Sequence, residues 1–297
     1  MKSVVSYPNR GEYGNNMYRG NCSGLLINDL IDQYKIKGLS DYMVGGGTTR
    51  DVCQERNISG TFLDLNRGFD MMTMDIPDRP ENIFWHPPYG GMIIYSDIMY
   101  KAQSIISQYG FDPRENDLSR ANDWNDFVNK MNYCMLKQFS CLEKGGRMFV
   151  LMGDWKQKGK LYSMLCDIAK PGTLEQIIIK MEHNCMSDRS TYSNMNFVPI
   201  SHEYVMVVRK DMATIIPISM AKRHQMDLRD CMSVTWRDVV AAVLEDAGKP
   251  LALREIYQAI DGHKKCDANP HWKDKIRQTL QTWSGFRHVS EGVWAAA

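Results

Sequence analysis

Short apolar runs of strand length alternate along this chain with longer stretches whose apolar residues recur every three or four positions. Leu25 to Tyr34 places Leu26, Leu30 and Ile31 on one face and predicts a helix. Leu39 to Val44 reads as a strand that closes in Gly45-Gly46-Gly47, with a helix after it. Thr61 to Leu63 is a second strand, ending at Asp64. Ile83 to Trp85 is a third, stopped by Pro87 and Pro88, since neither proline can donate to a sheet ladder. Gly90 to Asn122 is polar and predicts little helix. Within the helix from Asp123-Trp124 through Leu142, Phe127, Met131, Met135 and Phe139 recur at core spacing. Lys144-Gly145-Gly146 ends it, and Arg147 to Met152 is a buried strand. A short helix from Lys160 to Ile168, a strand from Gln176 to Met181 and a last strand from His202 to Lys210 follow, with Cys185 to Asn196 as a polar hairpin tip or loop. The alternation predicts an α/β class: a doubly wound, mostly parallel sheet with a late antiparallel hairpin.

A different pattern follows. Trp236 to Ala247 is amphipathic; Leu253 to Ile260 is a second helix; His271 to Trp283 is a third, with Trp272, Ile276 and Leu280 inward. Phe286, Val289, Val293 and Trp294 around Gly292 suit a short hairpin. The chain therefore divides into residues 1–215, a linker over 216–233 and a small domain over 234–297. Three helices and a hairpin resemble a winged-helix domain. His271, Lys273, Lys275 and Arg277 are its candidates for facing DNA. A protein-binding or dimerising winged helix is the alternative, because acidic residues balance the basic ones.

Composition narrows the classes. With 297 residues the chain can bury one large α/β core and one small one. A net charge of +1 gives no global positive field, so any nucleic-acid surface must be local. Eight cysteines without a Cys-x-x-Cys pair point to a reduced, cytoplasmic compartment, with zinc and disulfides not expected. No long apolar segment follows the amino terminus, so neither a signal peptide nor a membrane span is expected.

The chemistry concentrates in Asn82-Ile83-Phe84-Trp85-His86-Pro87-Pro88-Tyr89-Gly90. Each proline pushes the residue before it towards an extended backbone, which makes a stiff peptide at the carboxyl end of a strand. Open α/β sheets bind their ligands at that edge. The strip carries an imidazole, a carbonyl followed by a residue with no N–H, and an aromatic ring. This set can grip a flat heterocycle with an exocyclic amine. His86 and the Pro87 carbonyl accept the amine's hydrogens, and Tyr89 stacks on the ring. A proline-rich turn with His86 in its wall is the structural alternative.

Upstream, Gly45-Gly46-Gly47 before a helix offers a close backbone approach and unpaired N–H groups. It lacks the Gly-Lys-Ser/Thr ending of a nucleoside triphosphate loop. Asp64, at the tip of a second strand, suits two ribose hydroxyls, or a helix cap. Asp70 and Asp75 follow in a Met-rich stretch, and either is a further candidate for a ligand contact. Tyr7 to Gly24 is rich in Gly and Asn and reads as an irregular segment on the sheet.

From about Tyr7 to Lys210 the chain resembles the S-adenosylmethionine-dependent amino-methyltransferases that modify adenine N6 or cytosine N4 in DNA. His86-Pro87-Pro88-Tyr89 stands where the family carries Asp/Asn/Ser-Pro-Pro-Tyr/Trp/Phe, with His86 as a departure at the first position. Asp41, Gly45, Gly47, Thr48 and Thr49, with their spacing, match the family's Asp-Pro-Phe-x-Gly-x-Gly-Thr-Thr loop. The resemblance implies S-adenosylmethionine as cofactor, held by those residues and Asp64. It implies a lid from Tyr18, Arg19 and Asn21, a base flipped out of DNA, and Tyr95 and Ser96 as candidate contacts to that base or its sugar. Adenine N6 is the expected target, in a restriction-modification or related setting. An imidazolium cannot accept a hydrogen bond, so His86 makes the activity pH-dependent. Two rivals remain: an RNA amino-methyltransferase, and a non-catalytic DNA-binding regulator with a degenerate methyltransferase domain. The sequence leaves the oligomeric state open, a homodimer included.

Overall fold

The computed structural model describes residues 1–183, 198–222 and 234–297. The chain separates into two compact units, Met1–Ala221 and Lys222–Ala297.

The first unit is built on a five-stranded sheet. Its strands are β1 (Val4–Ser6), β2 (Asn82–Trp85), β3 (Arg147–Met152), β4 (Thr173–Met181) and β5 (His202–Arg209), in the spatial order β1-β4-β5-β3-β2. Beyond β2, single parallel bridges join Ser40 to Ile83, Gly38 to Ser59 and Asp41 to Phe62. These bridges continue the sheet through two irregular segments, where the sequence predicts strands at 39–44 and 61–63. β2 and β3 pair parallel, as do β1 and β4, whereas β5 runs antiparallel to both β3 and β4. This is the doubly wound, mostly parallel sheet with a late reversed strand that the alternation predicts.

The apolar runs are continuous because the sheet is buried on both faces. Ile83, Trp85, Met148, Val150, Met152, Met206 and Val208 point to one side; Phe84, Phe149, Leu151, Val205 and Val207 point to the other. Helix α3 (Trp124–Cys141) covers the first face with Phe127, Met131, Met135 and Phe139. Helices α1 (Gly24–Tyr34) and α2 (Thr48–Glu55) cover the second with Leu26, Leu30, Ile31 and Val52. Ser23 caps α1 by accepting from the Leu25 N–H, and Asp123 caps α3 by accepting from the Asp126 N–H. Each fully buried side chain of this kind contributes roughly 1.5–3 kcal/mol.

Two stretches differ from the sequence reading. Lys160–Ser163 is not helical; it is a strand paired antiparallel with Asp154–Gln157, and only Met164–Asp167 is helix. The cause is a tight turn in which Lys158 and Gly159 both take positive φ, a hairpin geometry. The 90–122 region holds helices at Tyr95–Ile98 and Ala102–Tyr109, the latter ended by Gly110 in the left-handed region. Ala102, Ile105, Ile106 and Tyr109 carry the helical spacing that its polar composition hides. The Cys185–Asn196 tip falls outside the described residues.

The second unit holds helices Trp236–Ala247, Leu253–Ile260, Lys264–Asp267 and Trp272–Thr282. Its three-stranded antiparallel sheet has the order Leu251–Ala252, Val293–Ala296, Phe286–Ser290. Val240, Ile256, Ile276 and Leu280 are core residues; Trp272, expected inward, only packs against them, and Val289 is exposed. Thr235 and Asp238 form a reciprocal cap on the first helix. Part of the expected linker belongs to the first unit: Ile218–Ser219 pairs with Lys170–Pro171. No helix among the described residues is long and apolar enough to cross a membrane.

Candidate active site

Asp41, Asp64, His86 and Gly153 all follow parallel segments at the carboxyl edge of the sheet, so the fold gathers them at one rim. Two cavities open there. The first is about 790 Å³, its solvent-open mouth included, and is lined by Tyr18, Asn21, Asp41, Gly45, Thr48, Thr49 and Asp64, with Phe69, Met71 and Phe84 among its apolar walls. The second, about 670 Å³ on the same measure, is lined by Pro87, Tyr89, Met92, Lys180, Glu182 and Glu203. Gly20, Asn21, His86 and Tyr95 line both.

The glycine loop is shaped by its neighbours. Gly45 and Gly47 have φ of 50° and 95°, a region that costs a side-chain-bearing residue strain. A Cβ on Gly46 would sit 2.3 Å from the Asn21 side-chain oxygen. The upstream segment lies directly on this loop. The Asn15 N–H donates to the Gly46 carbonyl at 2.8 Å, and the Gly14 N–H to Asp51 Oδ2 at 2.9 Å. Tyr18 stacks on Tyr95 with ring centroids 5.7 Å apart.

The carboxylates are held inside the wall. Asp41 accepts from Thr49 Oγ1 at 2.7 Å and from the Met43 N–H at 3.0 Å. Burial nevertheless pushes its carboxyl up to about 7, because desolvation of the charge outweighs these two bonds. Asp64 accepts from the Gly45 N–H at 2.7 Å and the Asn66 N–H at 3.0 Å, and burial raises its carboxyl as well. Thr48 Oγ1 is buried in the lining without a partner among the described residues. Asp70, which also lines this cavity, accepts from Thr73 Oγ1 at 2.7 Å and Asn116 Nδ2 at 2.6 Å; Asp75 is not in the lining.

The strip after β2 is equally fixed. His86 Nε2 is 2.9 Å from the Tyr89 hydroxyl, which donates to Glu203 Oε1 at 2.6 Å. Glu203 Oε2 accepts from Lys180 Nζ at 2.7 Å, and Glu182 Oε1 from the same ammonium at 2.5 Å. Burial lowers the His86 imidazole to about 4 against the opposing pull of Glu203, so the ring is neutral at pH 7. The Tyr89 ring is backed by Gly153, where a Cβ would come within 2.6 Å of it.

Some expected site residues stand elsewhere. Arg19 is exposed and lines neither cavity; its N–H lies 3.4 Å from Met99 Sδ. Gly47 caps α2 rather than lining the cleft. Ser96 is buried, its N–H given to Asp117 and its hydroxyl accepting from Arg120 at 2.6 Å, so it lines neither cavity. His271, Lys273, Lys275 and Arg277 are exposed in the second unit; His271 precedes the helix as its cap, and Lys273 lies 5.3 Å over the Trp272 ring. The sequence reading missed Lys180, Glu182 and Glu203. Their signal is polar residues interrupting otherwise apolar strands, and it becomes legible only once the register pairs Lys180 with Glu203. No group of metal-binding side chains occurs among the described residues.

No protein-family model and no curated protein matches the chain. Among solved structures it is similar to a Thermus thermophilus protein described provisionally as a DNA modification methylase: 14% identity, TM-score 0.28, 64% of this chain and 57% of that one. It is similar to TehB from Haemophilus influenzae, at 8% identity and TM-score 0.30 over 63% of this chain and 62% of that one. A methyltransferase from Pyrococcus furiosus gives 11% identity and TM-score 0.29 over 64% and 84%. The chain thus spans less than two thirds of the first two.

Proposed function

We propose that the chain is an S-adenosylmethionine-dependent methyltransferase acting on the exocyclic amine of a base in DNA, adenine N6 above all. One observation carries the reading: His86 lies on the wall shared by two cavities, one with the matched glycine loop and carboxylates, the other with the Pro-Pro-Tyr strip.

The first cavity's residues fit the cofactor. The orphaned Thr48 Oγ1 is a buried polar atom in need of a partner, and Gly46 lies where a side chain would collide with Asn21. Asp64 would hold the ribose hydroxyls, Asp41 and Thr48 the polar end, and Phe69, Met71 and Phe84 the flat ring. When bound, the cofactor supplies an electrophilic methyl on sulfonium.

The protein's own part is positioning. Neutral His86 accepts one hydrogen of the target amine, and the Pro87 carbonyl, followed by a residue with no N–H, accepts the other. The amine lone pair then points across the shared wall. Tyr89 gives the base a ring to lie on in the second cavity. The base must leave the duplex stack to reach this point. The winged-helix reading of residues 234–297 supplies a local basic surface through Lys273, Lys275 and Arg277.

The test is transfer of labelled methyl from S-adenosylmethionine to unmethylated duplex DNA, with RNA alongside, followed by nucleoside analysis. N6-methyladenine in DNA is the expected product. Label in RNA alone moves the substrate class, and no label on either, with the cofactor bound, sinks the catalytic reading.

A further inference from the structure

A histidine at the first motif position can serve the substrate amine only if the nitrogen facing it is the one that accepts. A neutral imidazole has one donor and one acceptor nitrogen, and the hydrogen bond at one nitrogen sets the role of the other.

The partners along this wall decide it in sequence. Lys180 Nζ lies 2.7 Å from Glu203 Oε2, and cross-strand register places the two residues opposite each other on β4 and β5. Lys180 is nearly buried and is held as an ammonium at about 12 by the two glutamates beside it. Glu203, facing this charge, is held below the usual carboxylate range against its burial and is a carboxylate, which can only accept. Burial raises the carboxyl of Glu182, which shares the same ammonium. The Tyr89 hydroxyl has one hydrogen. At 2.6 Å from the Glu203 carboxylate, that hydrogen is committed to Oε1. The Tyr89 oxygen therefore meets His86 Nε2, 2.9 Å away, as an acceptor, and Nε2 must carry the imidazole proton. Nδ1 is then bare, and among the described residues nothing in the protein engages it.

We infer that Lys180, Glu203 and Tyr89 form a relay that fixes the Nε2–H tautomer of His86 and so makes Nδ1 the acceptor for the substrate amine. Lys180 and Glu203 are positioning residues in this scheme, acting through Tyr89. The chain thereby regains, with an imidazole nitrogen, the acceptor that a carboxylate or carboxamide oxygen provides at this motif position. The role of Nδ1 rests on the amine-methyl-transfer reading; the tautomer itself does not.

The experiment is long-range ¹H–¹⁵N correlation on the full chain labelled with ¹⁵N-histidine at pH 7, with His86 assigned by the signal lost in His86→Asn. The wild-type ring is expected to be protonated at Nε2 alone. In Tyr89→Phe the lock is gone, and averaged nitrogen shifts of a tautomer mixture are expected. In Glu203→Gln, the carboxamide can donate to the tyrosine oxygen and release its hydrogen towards His86, moving the ring towards Nδ1–H. Lys180→Arg, which keeps the cation, should retain the wild-type signature. A wild-type ring protonated at Nδ1 overturns the inference without using any variant. So does an unchanged tautomer in both Tyr89→Phe and folded Glu203→Gln. The measurement needs neither cofactor nor DNA, so failed methyl transfer with the Nε2–H form present would refute the proposed function and leave the relay standing. In turnover, Glu203→Gln should lower kcat by about ten-fold or more with cofactor affinity unchanged, a split that general loosening of the fold would not give.

Discussion

Tyr89 and Glu203 are 114 positions apart in sequence, yet the hydroxyl of one donates to the carboxylate of the other at 2.6 Å. The contact ties the loop after β2 to the reversed strand β5. It fixes the orientation of the Tyr89 ring, and it connects the motif to a buried ion pair.

Gly153 sets the back of that ring. An added methyl would sit 2.6 Å from Tyr89 Cε2, and the ring cannot simply swing away while its hydroxyl is held by Glu203 and His86. Gly153→Ala should destabilise the protein by roughly 1–3 kcal/mol, the cost typical of overpacking. Methyl transfer should fall at least ten-fold, with cofactor affinity near wild type. Denaturant melts, calorimetric titration and labelled-methyl assays on one preparation check this, and full activity would show that the ring position is immaterial.

Asp41 costs stability in its charged form. Its folded carboxyl titrates near 7, above the unfolded value near 4, so the native state holds the proton more tightly between these limits. Stability is then lost as pH rises through this window, and the loss is complete above the folded value. Asp41→Asn should therefore melt higher than wild type at pH 8, by about 1–3 kcal/mol, with the gain shrinking to little at pH 4. Cofactor binding should weaken in the same variant. Equal melting differences across pH would remove Asp41 as the titrating group.

His86 shifts the other way. Its folded imidazole titrates near 4, below the usual 6.5, so protonation favours the unfolded chain and stability falls as pH drops through that range. The ring should remain neutral at pH 6, and its C2-proton NMR titration should show a midpoint below about 5. The loss of acceptor capacity expected for an imidazolium then lies outside the neutral range. A midpoint near 6.5 would mean that the ring is solvated rather than buried.

Lys273, Lys275 and Arg277 are exposed along one helix of the second unit. If this surface meets phosphates, replacing all three by Gln should reduce the slope of log affinity against log salt by about 2–3 and weaken binding alike across DNA sequences. Cofactor affinity should not move. An unchanged slope on filter binding from low to moderate salt would assign the unit to a protein partner.

The layers of the first unit are legible in the chain alone. Apolar runs without alternation, as at Met148–Met152, require burial on both faces, and the helical spacing of Phe127, Met131, Met135 and Phe139 requires a helix to cover one of them. The local chemistry of the glycine loop and of the His86-Pro87-Pro88-Tyr89 strip is legible too, because glycine and proline act on their own backbone and need no distant partner. The company these residues keep is not. Ser96 looked available and is locked between Asp117 and Arg120; Arg19 looked like part of a lid and is exposed. Lys180 and Glu203, polar positions on two strands, are the charge pair behind the motif. Strand register is set by non-local pairing, and a hydrogen bond spanning more than a hundred residues leaves no periodic trace in the chain. Residue types fixed what each group can do, and the sheet decided which groups meet.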